Sequence, residues 1–156
     1  MLNKKTFAAF IFAAVLLLLG GCSASQEDLE YYKKEFLAKS DAAFQGIDNS
    51  SKVLTDVRNE ASKGMKSTKI MNAVDQGRNT LQSMHDDLFA SAVPKEMESA
   101  KDTLLKGIEK KMEAHDELFK FYDLRDKKFE QKADQLLKQS DDLIQQSKAE
   151  LQKFKK

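Results

Sequence analysis

Beyond Cys22 the chain contains one proline, Pro94, and four glycines, Gly46, Gly64, Gly77 and Gly107. Few positions can therefore interrupt a helix, and the residues between them are rich in Lys, Glu, Gln, Asp and Leu, all good or tolerable helix formers. Apolar residues recur every three or four positions, the spacing of one face of an α-helix. An all-α architecture follows from so few breakers and so regular a spacing.

The clearest stripe is Ile70, Val74, Gly77, Leu81, Met84 and Leu88. Ser67 or Thr68 can cap its start, and the helix must stop before Pro94, which disfavours α geometry in the residue before it. Pro94 is suited to open the next helix. Ser91-Ala92-Val93 then forms a tight reversal, and the two helices make an antiparallel hairpin pivoting near Val93. An earlier helix follows Leu29, Tyr32, Phe36, Ala43 or Phe44, Ile47, Leu54, Val57 and Ala61 and ends near Gly64. Asp48-Asn49-Ser50-Ser51 has the composition of a turn, but the apolar phase runs through it unchanged, so the helix is expected to continue.

From Met97 the stripe runs through Leu104, Ile108, His115, Phe119, Tyr122, Phe129, Ala133, Leu136, Leu143, Leu151 and Phe154. A single helix of that span would be about 85–90 Å long, against about 38 Å for its partner. Half of its apolar face would be left in water. A bend at Tyr122-Asp123-Leu124-Arg125-Asp126, where the spacing loosens and an aspartate can cap a new helix, removes the conflict. The expected fold is an antiparallel up-down bundle of four helices.

The first 22 residues have a different character. Lys4 and Lys5 precede an apolar run over residues 7–19, which ends in Leu19-Gly20-Gly21-Cys22. A basic start, a short apolar run and small residues at a cleavage point are the parts of a secretory signal. The run is shorter than the roughly 20 apolar residues of a membrane span. Leu19-Gly20-Gly21-Cys22 resembles the lipobox of bacterial lipoproteins. That resemblance implies cleavage between Gly21 and Cys22, a diacylglyceryl group on the Cys22 thiol, and possible further acylation of the new amino terminus. Two or more acyl chains would hold the protein durably on a membrane, where one chain binds only marginally. The domain organisation is then residues 1–21 as signal peptide, 22–26 as lipidated cysteine and tether, and 27–156 as the helical bundle.

Cys22 is the only cysteine, so neither a disulfide nor a thiolate metal site is available to the bundle. With the leader removed, 24 basic residues face 25 acidic ones. No global field exists to attract nucleic acid or a polyanionic wall polymer. Lys148, Lys153, Lys155 and Lys156 read as a solvated helix end, where cations complement the dipole. The absence of tryptophan and the few aromatic residues argue against a sugar- or base-stacking platform.

Catalytic chemistry has little to work with. His85 and His115 are the only histidines, and no serine stands beside one in a recognisable motif. A pivot near Val93 places His85 opposite Lys101 and His115 opposite Met71, with the imidazoles about 20–24 Å apart. Met112 and His115 share a helix face and Met71 could lie across from them, a soft donor set suited to copper. Methionine at helical spacing is more commonly core packing, and no metal or cofactor is expected. Asp86-Asp87 and Asp141-Asp142 diverge around a helix and read as solvated surface. Ser40, Gly77, Ser140 and Ser147 interrupt the apolar stripes and could leave gaps or grooves.

The pattern as a whole is similar to the small helical lipoproteins of Gram-positive bacteria, a host also suggested by a lysine to arginine ratio of 23 to 3. It bears a fainter likeness to helical lipoproteins described as cell-wall binding. The resemblance implies a non-enzymatic module on the outer face of the cell membrane, anchored through Cys22 and meeting an envelope protein or a wall polymer. The alternative is an extracytoplasmic ligand-binding or sensory accessory with a small-molecule or metal site inside the bundle. A pocket with convergent polar groups would favour the second; a filled core with an exposed apolar strip would favour the first.

Overall fold

The computed structural model describes residues 25–155; Gly21 and Cys22, with the rest of the leader, lie outside them. Four helices follow one another: α1 (Gln26–Ser62), α2 (Ser67–Ala90), α3 (Glu98–Leu124) and α4 (Lys127–Gln152), with a 3₁₀ turn at Lys95–Met97 between α2 and α3. The fold is all-α, as the periodicity requires.

α1 starts with a capping box. Ser25 Oγ accepts from the Asp28 N–H, and the Asp28 carboxylate accepts from the Ser25 N–H, which satisfies otherwise orphaned donors. The helix then runs through Asp48-Asn49-Ser50-Ser51 without a break. Phe44, Ile47, Leu54 and Val57 are buried on both sides of that segment, so burial outweighs its low helix propensity. α1 ends where Gly64 takes φ 93°. The Gly64 and Met65 N–H groups reach back to the carbonyls of Ala61 and Glu60, the paired bonds of a Schellman cap.

α2 begins differently from expectation. Lys66 is the N-cap and no side chain caps the helix; Ser67 instead lies inside the first turn and its hydroxyl oxygen accepts from the Arg125 guanidinium. Pro94 likewise does not open α3 but precedes the 3₁₀ turn. Lys101 of α3 closes the end of α2, donating to the carbonyls of Phe89 and Ser91 at 2.8 and 2.6 Å.

The second reversal falls at the anticipated bend. Arg125 takes a left-handed conformation (φ 59°) and Asp126 caps α4 by accepting from the Lys128 N–H at 3.0 Å.

Consecutive helices pack against each other, and α3 with α4 most extensively. Two serines account for that closeness. Ser140 Oγ donates to the Gly107 carbonyl at 2.8 Å, and Ser147 Oγ to the Ala100 carbonyl at 2.7 Å. A Cβ on Gly107 would lie 2.8 Å from Ile144 Cγ1 and 3.3 Å from the Ile144 backbone nitrogen. Ser140 and Ser147 are therefore contact points between backbones, not gaps. α4 is tied to α1 by longer side chains: Arg58 pairs with Asp134, Lys155 with Asp41, and Lys148 sits over the Phe44 ring.

The interior has two apolar clusters. One contains Phe36, Leu81, Leu88, Leu104, Ile108, Met112 and Leu151; the other contains Leu54, Ile70, Val74, Leu118, Ala133 and Leu136. Some stripe members fall short of the core. Leu29 and Phe119 remain about two-fifths exposed, because Leu29 precedes the packed part of α1 and Phe119 is turned outward on the rim of α3. Leu143 is half-buried while its neighbour Ile144 takes the core position against Gly107.

Two substitutions test this packing. Leu136→Ala should cost about 2–5 kcal/mol in a urea titration, whereas Lys138→Ala on the exposed face should stay within about 0.5 kcal/mol. Gly107→Ala should cost about 1–3 kcal/mol, because the atoms it meets include backbone. Equal stability of Leu136→Ala and Lys138→Ala would mean that α4 is not packed.

Candidate functional site

α3 lies between α2 and α4 and carries the polar groups of the interior. Lys111 is 1% exposed, and its Nζ reaches Asp141 at 3.1 Å. It stands three residues after Ile108 and four before His115, in the middle of the stripe. That position in the apolar stripe is the sequence signal that marks it. Glu117 is also buried. Its Oε1 accepts from Lys120 and Lys132, and Lys120 first among them holds the carboxyl below its ordinary range against the opposing effect of burial.

The hairpin register places the histidines differently from the expectation. His85 Nε2 is 3.2 Å from Glu109, not opposite Lys101, and its ring stacks on Phe89. His115 lies against Gly77, not Met71. Arg78 pairs with Asp116 at 2.6 Å in the same register. The cause is the 3₁₀ turn at Lys95–Met97, which lengthens the reversal and moves the pivot C-terminal of Val93. His85 and Gly77, the residue that His115 meets, stand eight residues apart on α2, about 12 Å along its axis. The soft-ligand triad is not assembled: Met112 belongs to one apolar cluster, while Met71 packs against the other. Among the described residues no group of three or more His, Cys, Asp or Glu side chains is placed to hold a metal ion.

His115 is 2% exposed. Its Nδ1 is 2.8 Å from the Lys111 carbonyl. A carbonyl can only accept, so Nδ1 carries the hydrogen and Nε2 presents a lone pair. Burial pushes the imidazole below its ordinary pKa of 6.5, with Lys111 and Arg78 adding to the effect, against the bond to the Lys111 carbonyl and nearby Asp116.

Two grooves flank the helix that carries Gly77. Between α2 and α3 a cleft of about 430 Å³ is lined by Val74, Arg78, His115, Asp116, Phe119 and Lys120 among others. Between α1 and α2 a cleft of about 350 Å³ is lined by Gly46, Asn49, Ser50, Val53, Gln76, Gly77 and their neighbours. Gly77, a break in its apolar stripe, lines the second groove, and the His115 ring packs closely against it. Ser50 belongs in the sequence to a turn-like composition, and its approach to Gly77 depends on how α1 lies against α2.

Compared with models of protein families, with characterised proteins and with solved structures, the chain matches none.

The lowered pKa of His115 sets a pH dependence. Between the folded value and 6.5 the unfolded chain binds more protons, so stability rises with pH across that window and is lost on acidification through it. Below the folded value both states are protonated and this contribution is flat. His115→Gln should flatten the dependence of urea midpoints on pH in that window. A slope equal to that of the unaltered chain would show that His115 does not titrate on unfolding.

Proposed function

We propose that this chain is a lipid-anchored extracytoplasmic lipoprotein whose helical bundle is a non-enzymatic interaction module of the cell envelope. The observation that carries the reading is the apolar run ending in Leu19-Gly20-Gly21-Cys22, with only three residues between Cys22 and the start of α1 at Gln26. So short a tether would hold the bundle beside the membrane surface. No helix among the described residues is long and apolar enough to cross a membrane, which leaves Cys22 as the point of attachment in this reading.

The partner would be an envelope protein or a wall polymer. Support comes from the position of exposed apolar groups at the two ends: Leu29, Tyr31 and Phe89 near the tethered end, Leu124 at the opposite one. Such side chains are available to a partner without disturbing the two buried clusters. A second reading, a ligand-binding accessory, is favoured by one observation, the unpartnered buried hydroxyl of Ser50 in the groove between α1 and α2.

Cys22→Ala tests the anchor. Fractionation should show the variant in the soluble fraction or as uncleaved precursor, and mass spectrometry should find acyl groups on the unaltered protein's amino-terminal cysteine. An unmodified Cys22, with membrane association intact in the variant, would overturn the reading.

A further inference from the structure

The cleft between α2 and α3 gathers charges of both signs above an apolar base. Val74 and His115 are buried, Phe119 is two-fifths exposed, and Asp75, Arg78, Asp116 and Lys120 complete the lining. Its volume of about 430 Å³ lies within the range of small-molecule sites.

Much of the hydrogen-bonding capacity there is unused. Arg78 donates to Asp116 Oδ1 through Nε, at 2.6 Å. The two terminal amino groups of Arg78 and the second oxygen of Asp116 have no hydrogen bond among the described residues. Asp75 accepts one long bond from Asn79, at 3.4 Å. His115 Nδ1 gives its hydrogen to the Lys111 carbonyl, which leaves the Nε2 lone pair without a donor. Among the described residues, the fully enclosed polar atoms that lack a partner are Ser50 Oγ, Arg58 Nε and Glu117 Oε2. Nε2 is not one of them, so it keeps an opening, and the α2–α3 cleft is the cavity that His115 lines.

This lining discriminates by charge. A simple anion in the cleft meets Asp75 and Asp116 as well as the cations, and a simple cation meets Arg78 and Lys120 as well as the carboxylates. A neutral apolar molecule displaces water from both charged groups and returns no hydrogen bond. A zwitterion answers both signs at once. In an α-amino acid the nitrogen and the carboxylate carbon are about 2.5 Å apart, close to the 2.6 Å span of the Arg78–Asp116 contact. Laid antiparallel to that pair, the carboxylate accepts from the Arg78 terminal amino groups while the ammonium donates to Asp116 Oδ2 and to His115 Nε2. An apolar side chain is then left to cover Val74 and the exposed ring of Phe119.

We infer that the α2–α3 cleft is a binding site for a zwitterionic α-amino acid with an apolar side chain, held by Arg78, Asp116 and His115. The site goes beyond the anchored-module reading and does not depend on it. Loss of acylation at Cys22 and loss of amino-acid binding are separate findings.

The chain has two histidines, which makes the imidazole nitrogens a direct probe. The full chain, purified in detergent with ¹⁵N-labelled histidine, is titrated with three compounds. These are leucine, leucinamide, which lacks the carboxylate, and 4-methylpentanoate, which lacks the ammonium. Leucine should shift the His115 ring nitrogens saturably and leave His85 unmoved. Each single-charge analogue should bind at least about tenfold more weakly, the loss expected for one charge-assisted hydrogen bond. Arg78→Gln and Asp116→Asn should each weaken leucine binding by about the same factor. Both side chains are partly exposed, so the variants should keep the fold, which a urea titration checks. Should one variant unfold, the other variant and the two analogues still decide the matter. A leucine shift that does not saturate, equal binding of either analogue, or unaltered affinity in a folded variant overturns the assignment.

Discussion

The close contact of α3 with α4 governs how the rest of the bundle is arranged. Ser140 and Ser147 donate to carbonyls of the facing helix at Gly107 and Ala100, and Ile144 occupies the space that a side chain at 107 would fill. Small residues seven apart on one helix meet serines seven apart on the other, two turns along each. Backbones that approach so closely fix the register of α4 on α3. Ala133, Leu136, Ile144 and Leu151 are then carried into the core.

With α4 pressed against one side and α2 against the other, α3 keeps one exposed face, along Asp102, Lys106, Glu109, Glu113 and Lys120, and buries the rest. That is why Lys111, His115 and Glu117 are buried despite their polarity. Each has an identifiable partner: Asp141 for Lys111, the Lys111 carbonyl for His115, and two lysines for Glu117. Breaking one member of such a pair costs more than the pair contributes, because a buried charge is left uncompensated. The interior is therefore polar at defined points, and those points hold the relative rotation of the helices. The seam between α1 and α4 is looser, spanned by Arg58, Lys148 and Lys155. This is the side on which the bundle is closed by long side chains and not by backbone contact.

Much of this architecture was legible from spacing and breakers. The run of α1 through Asp48-Asn49-Ser50-Ser51, the reversal after Ala90 and the bend at Arg125 all follow from where apolar phase persists or loosens. Local chemistry was less transparent. Neither Ser67 nor Thr68 caps α2, and Ser67 instead serves Arg125 across the end of the bundle. Pro94 introduces a 3₁₀ turn instead of opening α3, and that shift alone moves His85 to Glu109 and His115 to Gly77. An error of a few residues in one turn displaces every facing pair along a hairpin, since both helices slide together.

Periodicity pointed to the order of the helices and to a bend in the last long stripe, because burying apolar stripes on helices of unequal length leaves few ways to fold the chain. The likeness of Leu19-Gly20-Gly21-Cys22 to a lipobox is a matter of sequence alone and rests on no feature of the fold. What needed three dimensions was the meeting of residues from different helices. Ser50, Gly77 and His115 are separated by 27 and 38 positions in the chain, and nothing within any one helix links them. Their convergence depends on the register of α2 against both neighbours, which long-range packing sets and local propensity does not encode.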